Sequence, residues 1–189
     1  MKSSVNIADH PIHPMLVLLP AGAWVTSFIL DIVFLSTGNV FWFAASLWTI
    51  IIGVAGALIA AIVGMLDLFT LPLGREPRRI GITHMTLNLV IVALYIVNAI
   101  IRFSVPVGPV MGLMVPVSTA VWTFVLNLVS IVLLIFSGWY GGEMVYRYAV
   151  AVPGETIERA PQYQTRPYPG EPGISGALGG QSPLNDDDE

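Results

Sequence analysis

The chain contains no cysteine, which excludes disulfide bonds, thiolate metal ligands and cysteine nucleophiles. Charge is also scarce, because only 11% of the residues are charged, whereas a soluble domain carries about 25%. Residues 32–66, 80–101 and 103–142 hold no Asp, Glu, Lys or Arg. Uncharged apolar runs of about 20 residues or more are candidates for membrane-spanning helices. The scarcity of charge and the long uncharged runs together predict a membrane protein.

Turn signals divide the apolar sequence into four predicted spans behind a polar lead, residues 1–13. The tail, residues 151–189, is rich in proline, glycine and acidic residues, a composition that predicts disorder because it cannot bury a core. The apolar, proline-rich segment 104–117 is expected to lie in the membrane interface. The predicted fold class is all-α, an integral membrane four-helix bundle with a disordered C-terminal tail. The predicted spans cover about residues 14–35, 41–67, 82–103 and 117–140.

The basic residues predict the orientation, because cytoplasmic loops of membrane proteins carry an excess of lysine and arginine. With four spans, every basic residue except Arg102 falls on the side that holds both termini. Both termini are therefore predicted to be cytoplasmic, with the chain in the inner (plasma) membrane. No basic patch indicates nucleic acid, so the lipid bilayer is the expected partner. The residues on the cytoplasmic side are Lys2, Arg75, Arg78, Arg79, Arg147, Arg159 and Arg166.

A polar stripe runs along the third predicted span. Its members recur every third, fourth or seventh residue, so a helix places them on one face. Polar groups in a membrane span avoid lipid, and the stripe must therefore face other helices or a wet cavity. Asp31 and Arg102 lie near the same ends of spans one and three, and we predict that they form an intramembrane ion pair. The stripe consists of His84, Asn88, Tyr95, Asn98 and Arg102.

The three histidines of the chain are predicted to gather at the opposite, cytoplasmic end. His10 and His13 precede the first span, and His84 begins the third. Two acidic residues fall on the same side, since Asp67 ends the second span and Glu143 follows the fourth. The four-span topology thus predicts that residues far apart in sequence share one end of the bundle.

Four short motifs follow one another along the chain: His10-Pro11-Ile12-His13-Pro14, Gly64-x-x-Asp67, His84 with Asn88, and Gly141-Gly142-Glu143-Met144-Val145-Tyr146. Together they resemble a bacterial four-helix membrane family known as domain of unknown function 2231, over roughly residues 9–150. The resemblance implies the fold but no established activity, and some members look fused to Rieske-type iron–sulfur domains, which indicates redox work. This chain has Tyr148 where members often carry a histidine, and Ala149 where they carry a glycine.

The histidine positions suit a b-type haem, whose axial ligands are commonly histidines on facing helices at similar depth. His13 and His84 are the predicted haem or metal ligands. His10 is a weaker candidate, because each of the two His-Pro units favours extended backbone that holds His10 away from His13. Other nitrogen-ligated metals, a proton relay and a purely structural role stay open. Asp67, Glu143 and Asn88 are the expected partners of the ligating imidazoles.

Three functions fit this pattern. The first is a redox anchor that binds haem or a metal and passes electrons to a redox protein or another membrane subunit. The second is a structural or interaction protein, in which the polar stripes serve only assembly. The third is a small transporter or channel lined by those stripes. An enzyme with a soluble active site is not expected, because no phosphate-binding loop or nucleophile motif is present.

Overall fold

A computed structural model describes residues 3–8, 10–105 and 114–152 of the chain. Within them, helices α1 and α2 together form one span, Ile12–Thr37, so four segments are long and apolar enough to cross a membrane. The predicted all-α four-helix architecture is confirmed. The tail from residue 153 onward and the core of the predicted interfacial segment, residues 106–113, lie outside the described residues. The elements are β1 Asn6–Ile7, β2 His10–Pro11, α1 Ile12–Leu16, α2 Leu18–Thr37, α3 Val40–Thr70, α4 Arg75–Phe103 and α5 Val117–Tyr146.

Local chemistry sets the ends of the first two spans. Pro20 has no N–H to donate to the carbonyl of Leu16, and the helix is interrupted at Val17. Gly38 ends α2 in the left-handed conformation (φ 67°), which glycine adopts without steric cost. The Asn39 side chain then accepts a hydrogen bond from the backbone N–H of Phe41 (3.0 Å) and caps α3. The connection is therefore short, and α2 and α3 form an antiparallel hairpin.

The third span begins at Arg75, not at residue 82 as the sequence predicted. Pro77 lies in the first turn of α4, where a missing N–H costs nothing because those donors have no partner inside the helix. The connection between the second and third spans is therefore short, residues 71–74. The predicted polar lead also contains structure, since β1 and β2 pair antiparallel with Ile7 opposite His10.

The four spans are arranged as two hairpins, α2–α3 and α4–α5. Packing is most extensive inside each hairpin, while α3 against α4 and α2 against α5 close the ring. The first helix of each hairpin thus contacts the second helix of the other, and α2 and α4 lie diagonally opposite each other. This is the arrangement expected of two copies related by a two-fold axis along the bundle.

The buried positions of the two hairpins show the same relation. Those of α2 recur 71 residues later, at or just beyond α4: 20, 24, 27, 31 and 34 correspond to 91, 95, 98, 102 and 105, and all ten are buried. Five of the nine buried positions of α3 recur 77 residues later in α5: 43, 46, 50, 53 and 60 correspond to 120, 123, 127, 130 and 137, again all buried. The chain is therefore an internal repeat with a pseudo-two-fold axis.

Equivalent residues of α2 and α4 meet on this axis at two depths. In the middle of the bundle the rings of Trp24 and Tyr95 stack with centroids 4.4 Å apart and an interplanar angle of 15°. They belong to a buried cluster with Ile50, Ile91 and Val92. Near the far end of α2 and α4, the equivalent residues Asp31 and Arg102 form an ion pair. A second buried cluster, Phe34, Phe43 and Ala120, lies beside them. We call the end of the bundle that holds Asp31 and Arg102 the ion-pair end, and the opposite end, which holds His13 and His84, the histidine end.

Candidate functional site

The ion-pair end is organised around Arg102, which is fully buried. Its Nη2 donates to Asp31 Oδ2 at 2.6 Å, and its Nε donates to Asn98 Oδ1 at 2.7 Å. Its Nη1 donates to the carbonyl of Phe43 (3.3 Å), and the guanidinium lies 4.5 Å from the centre of the Phe43 ring. The two sequence-predicted residues Asp31 and Arg102 are thus brought together, with α3 supplying a carbonyl and a ring face.

The fourth span completes this network through Asn127. Its Nδ2 donates to Asp31 Oδ2 (2.8 Å) and to Ser27 Oγ (3.1 Å), and its Oδ1 accepts from the Tyr95 hydroxyl (2.9 Å). Ser46 of α3 donates to the carbonyl of Ser27 (3.1 Å). All four spans therefore contribute to one buried polar network, which suits a role in fixing the register of the helices.

His13, at the other end, is held against the opposite helix of its own hairpin. Its Nδ1 lies 2.9 Å from the carbonyl oxygen of Ala60. Its ring covers Gly64, where an added Cβ would come within 2.6 Å of the ring atom Cε1. A carbonyl only accepts, so the Nδ1 carries the proton, and the lone pair of the neutral imidazole is on Nε2.

His84 repeats this geometry in the second hairpin. Its Nδ1 lies 2.8 Å from the carbonyl oxygen of Ser137, and its ring covers Gly141, where an added Cβ would come within 3.1 Å of Cε1. The residues correspond by the internal repeat: 13 to 84, 60 to 137 and 64 to 141. His13 of α1 and His84 of α4 are thus the same residue at equivalent positions of the two halves, and the residue under each ring is a glycine in both.

The two imidazoles lie at the same end of the bundle, one in each hairpin. Equivalent residues of α2 and α4 meet on the pseudo-two-fold axis in the middle and at the ion-pair end, and His13 and His84 are the equivalent pair at the histidine end. Both side chains are half-buried. In the described part of the chain, the buried hydrophobic clusters lie at the other two levels.

His84 has an additional partner that His13 lacks. Asn88, one turn further along α4, places its Nδ2 3.1 Å from Nε2 of His84 and 2.7 Å from Ser137 Oγ. The equivalent positions of the first half, 17 and 60, are Val17 and Ala60, which have no polar side chain. Asn88 thus contacts the imidazole of His84 directly.

The remaining predicted site residues have other partners. His10 is exposed, and its Nδ1 lies 2.7 Å from the carbonyl of Ala8 in the turn of the N-terminal strands. Asp67 accepts hydrogen bonds from Ser3 and Ser4, including both oxygens from Ser3 Oγ at 2.8 and 2.7 Å. The N-terminal segment is therefore fastened to the end of α3 by Asp67.

Glu143, the second predicted carboxylate, pairs with Arg147 one turn along α5 (2.8 Å). The predicted role of Asp67 and Glu143 as imidazole partners is replaced in this structure by the backbone carbonyls of Ala60 and Ser137. Both acids lie further toward the helix ends than the carbonyls that the histidine rings reach. The described residues contain no group of three or more His, Asp or Glu side chains that could hold a metal ion.

Sequence reasoning missed the two backbone carbonyls that bind the imidazoles and the packing of the two rings on Gly64 and Gly141. A carbonyl partner leaves no side-chain signature. The internal repeat was nevertheless available, because His13 and His84 are separated by the same 71 residues as Trp24 and Tyr95. Aligning the halves would have singled out Gly64 and Gly141 as a matched pair.

Comparison with known families agrees with this architecture. The family model described as "Predicted membrane protein (DUF2231)" matches residues 9–154, which include all four spans and all three histidines. The chain belongs to the DUF2231 family. The resemblance inferred from the sequence motifs is therefore confirmed, and the family description names no activity. No curated protein and no solved structure matches the chain significantly. The function of this DUF2231 protein must therefore be argued from its own residues.

Proposed function

We propose that this DUF2231 protein is a membrane-anchored redox subunit that holds one b-type haem at the histidine end, between His13 and His84. The observation that carries the proposal is the pair of equivalent imidazoles, one from each hairpin, on opposite sides of the pseudo-two-fold axis. The Nδ1 of each is bonded to a backbone carbonyl at 2.9 or 2.8 Å. Metal-ligating histidines commonly use one ring nitrogen in this way, which fixes the ring and directs Nε2 to the metal.

The donor set favours haem over a bare metal ion. Two imidazoles suffice as axial ligands of haem, whereas a structural zinc site takes four protein ligands and a catalytic one takes three. A bound haem would supply one-electron exchange between ferric and ferrous iron. The third histidine, His10, is turned to the carbonyl of Ala8 in the N-terminal strands, so it is not part of the pair.

The protein itself contributes orientation and a place for the haem. Gly64 and Gly141 let the histidine rings lie directly on the backbones of α3 and α5, since any Cβ there would crowd the rings. Because His13 and His84 belong to different hairpins, the region between them is the seam where packing is less extensive than inside each hairpin. This seam at the histidine end is the proposed haem site. The electron partner would be a redox protein or another membrane subunit.

The middle of the bundle weighs against the transporter alternative. Trp24, Ile50, Ile91 and Tyr95 are each at most 2% exposed and pack on the axis between the two polar ends. A polar path along the stripes would have to pass this apolar layer. The structural alternative keeps support from the network around Asp31 and Arg102, and the spectroscopic test below separates it from the redox proposal.

The test of the proposal is an optical spectrum of the detergent-purified protein, expressed with ample haem precursor, before and after dithionite reduction. We expect a Soret band that shifts on reduction, at about one haem per chain. His13→Ala should abolish the band, and His84→Ala should change its position, because each variant removes one axial ligand. His10→Ala is the matched control and should leave the spectrum unchanged. A wild-type protein without a Soret band would leave the structural role as the function.

We further propose that both termini face the cytoplasm of a bacterial inner membrane. The support is the arginine-rich start of α4, whose exposed Arg75, Arg78 and Arg79 lie at the same end of the bundle as the start of α1 and the end of α5. Because the chain has no cysteine, single-cysteine variants give a clean assay. An impermeant maleimide added to intact cells should label Ser36→Cys, in the exposed last turn of α2 at the opposite end, and should not label Gly74→Cys. The reverse pattern would invert the topology.

A further inference from the structure

We infer that Asn88 controls the second axial position of the site by holding Nε2 of His84, which leaves His13 as the permanent ligand and His84 as a conditional one. This inference rests on the proposed haem site and deepens it, because it concerns how that site is regulated. It follows from one difference between two otherwise equivalent halves.

The first observation is the hydrogen bonding of the Asn88 amide. Its Nδ2 lies 3.1 Å from His84 Nε2, 2.8 Å from the carbonyl oxygen of His84 and 2.7 Å from Ser137 Oγ. An amide nitrogen has two hydrogens, so three acceptors compete for two donors. The bond to Nε2 is the longest of the three. Asn88 can therefore release the imidazole and still keep both of its hydrogens bonded.

The second observation is that the first half of the molecule has no equivalent of the hydrogen bond between Asn88 and Nε2 of His84. Subtracting the repeat offsets of 71 and 77 from 88 and 137 gives positions 17 and 60, which are Val17 and Ala60. Neither side chain can donate a hydrogen bond to His13. In the part of the chain that the structure describes, Nε2 of His13 has no hydrogen-bond partner, while its Nδ1 is bonded to Ala60. The asymmetry is thus produced by two polar side chains, Asn88 and Ser137.

The chemical consequence is an order of binding. An electrophile or metal that approaches His13 finds a free lone pair on Nε2. At His84 the same lone pair accepts the Asn88 N–H, so the incoming group must first displace that bond. The site is therefore expected to bind through His13 first and to add His84 only after Asn88 has turned to Ser137 and the His84 carbonyl. An external ligand can use the second position in the meantime.

The first experiment needs no haem. Diethylpyrocarbonate modifies the unprotonated nitrogen of histidine, and mass spectrometry of peptides gives the rate at each residue of the full-length protein in detergent. In the wild type, His13 should react about two- to tenfold faster than His84, the factor that corresponds to one net hydrogen bond. Asn88→Val, which copies the residue at position 17, should bring His84 close to the rate of His13. The reciprocal Val17→Asn should slow His13.

The third histidine of the same protein provides the control for these rates. His10 is exposed and serves as an internal reference, whose rate should be equal in all variants. Equal rates at His13 and His84 in the wild type would overturn the inference, and so would an Asn88→Val variant that leaves the ratio unchanged. If either variant fails to fold, the ratio of the modification rates of His13 and His84 in the wild type decides whether the inference holds.

The second experiment separates this inference from the proposed function. Haem-loaded wild type should contain a high-spin, five-coordinate fraction that binds carbon monoxide readily, whereas Asn88→Val should show a fully low-spin, six-coordinate spectrum. Identical low-spin spectra of both proteins would overturn the role of Asn88 and leave the haem site standing. If no preparation shows a Soret band, the haem proposal and the ligand role fall together, while the modification rates still decide whether Asn88 holds His84.

Discussion

Asp31→Asn is expected to destabilise the protein by about 3–5 kcal/mol, the usual loss when one partner of a buried ion pair is removed. The reason is that Arg102 is completely buried. It would keep its bonds to Asn98 and to the Phe43 carbonyl but lose the only anion among its described partners. Thermal unfolding in detergent measures the effect. Arg102→Gln should be similarly damaging, because it leaves the carboxylate of Asp31 inside the bundle with only the Asn127 amide as a described donor.

The double variant Asp31→Asn/Arg102→Gln gives the decisive comparison. Two neutral amides carry no uncompensated charge, so we expect a smaller loss than the sum of the single losses. Glu143→Gln is the matched control, because it breaks an exposed pair with Arg147 that contributes about 0.3–0.5 kcal/mol. If the losses at Asp31 and Arg102 simply add, the two residues are not energetically coupled, and the register of the bundle rests on its other contacts.

Gly53→Ala should destabilise the middle of the bundle by about 1–3 kcal/mol or more, the range for overpacking a well-packed core. An added Cβ at Gly53 would clash with Nε1 of Trp24. Trp24 cannot easily give way, because it is 2% exposed and its ring is stacked on Tyr95. Helices α2 and α3 would have to separate at the level of this stack. The measurements are the melting temperature and the near-ultraviolet circular dichroism of the tryptophan.

Gly138→Ala is the control for Gly53→Ala. Gly138 also lies inside a spanning helix, but an added Cβ there meets no atom within 4 Å, so the change should be neutral or slightly stabilising. A second variant tests the mechanism, since Trp24→Leu in the Gly53→Ala background removes the clash and should recover part of the loss. Equal melting temperatures for Gly53→Ala and Gly138→Ala would show that Trp24 does not depend on the glycine.

The assignment of the four spans succeeded because a bilayer imposes a length and a composition that a linear sequence displays. The end of α2 at Gly38 was also readable, since glycine and asparagine there form a recognisable turn. The start of α4 was misjudged because proline and three arginines suggest a loop, although proline is tolerated in a first helical turn. The paired strands at the N-terminus escaped notice because two-residue strands have no periodic signal.

The sequence by itself determined the class of the protein, its family, the number of spans and the polar residues that must avoid lipid. The partners of those residues were decided only by the tertiary structure. Asp67 binds the N-terminal segment and the histidines bind carbonyls, because partner choice depends on how helices distant in sequence pack and rotate. A backbone carbonyl is present at every residue and gives no sequence signal. The difference in hydrogen bonding at Nε2 between His13 and His84 therefore depends on the tertiary structure, in which the two halves pack around one axis.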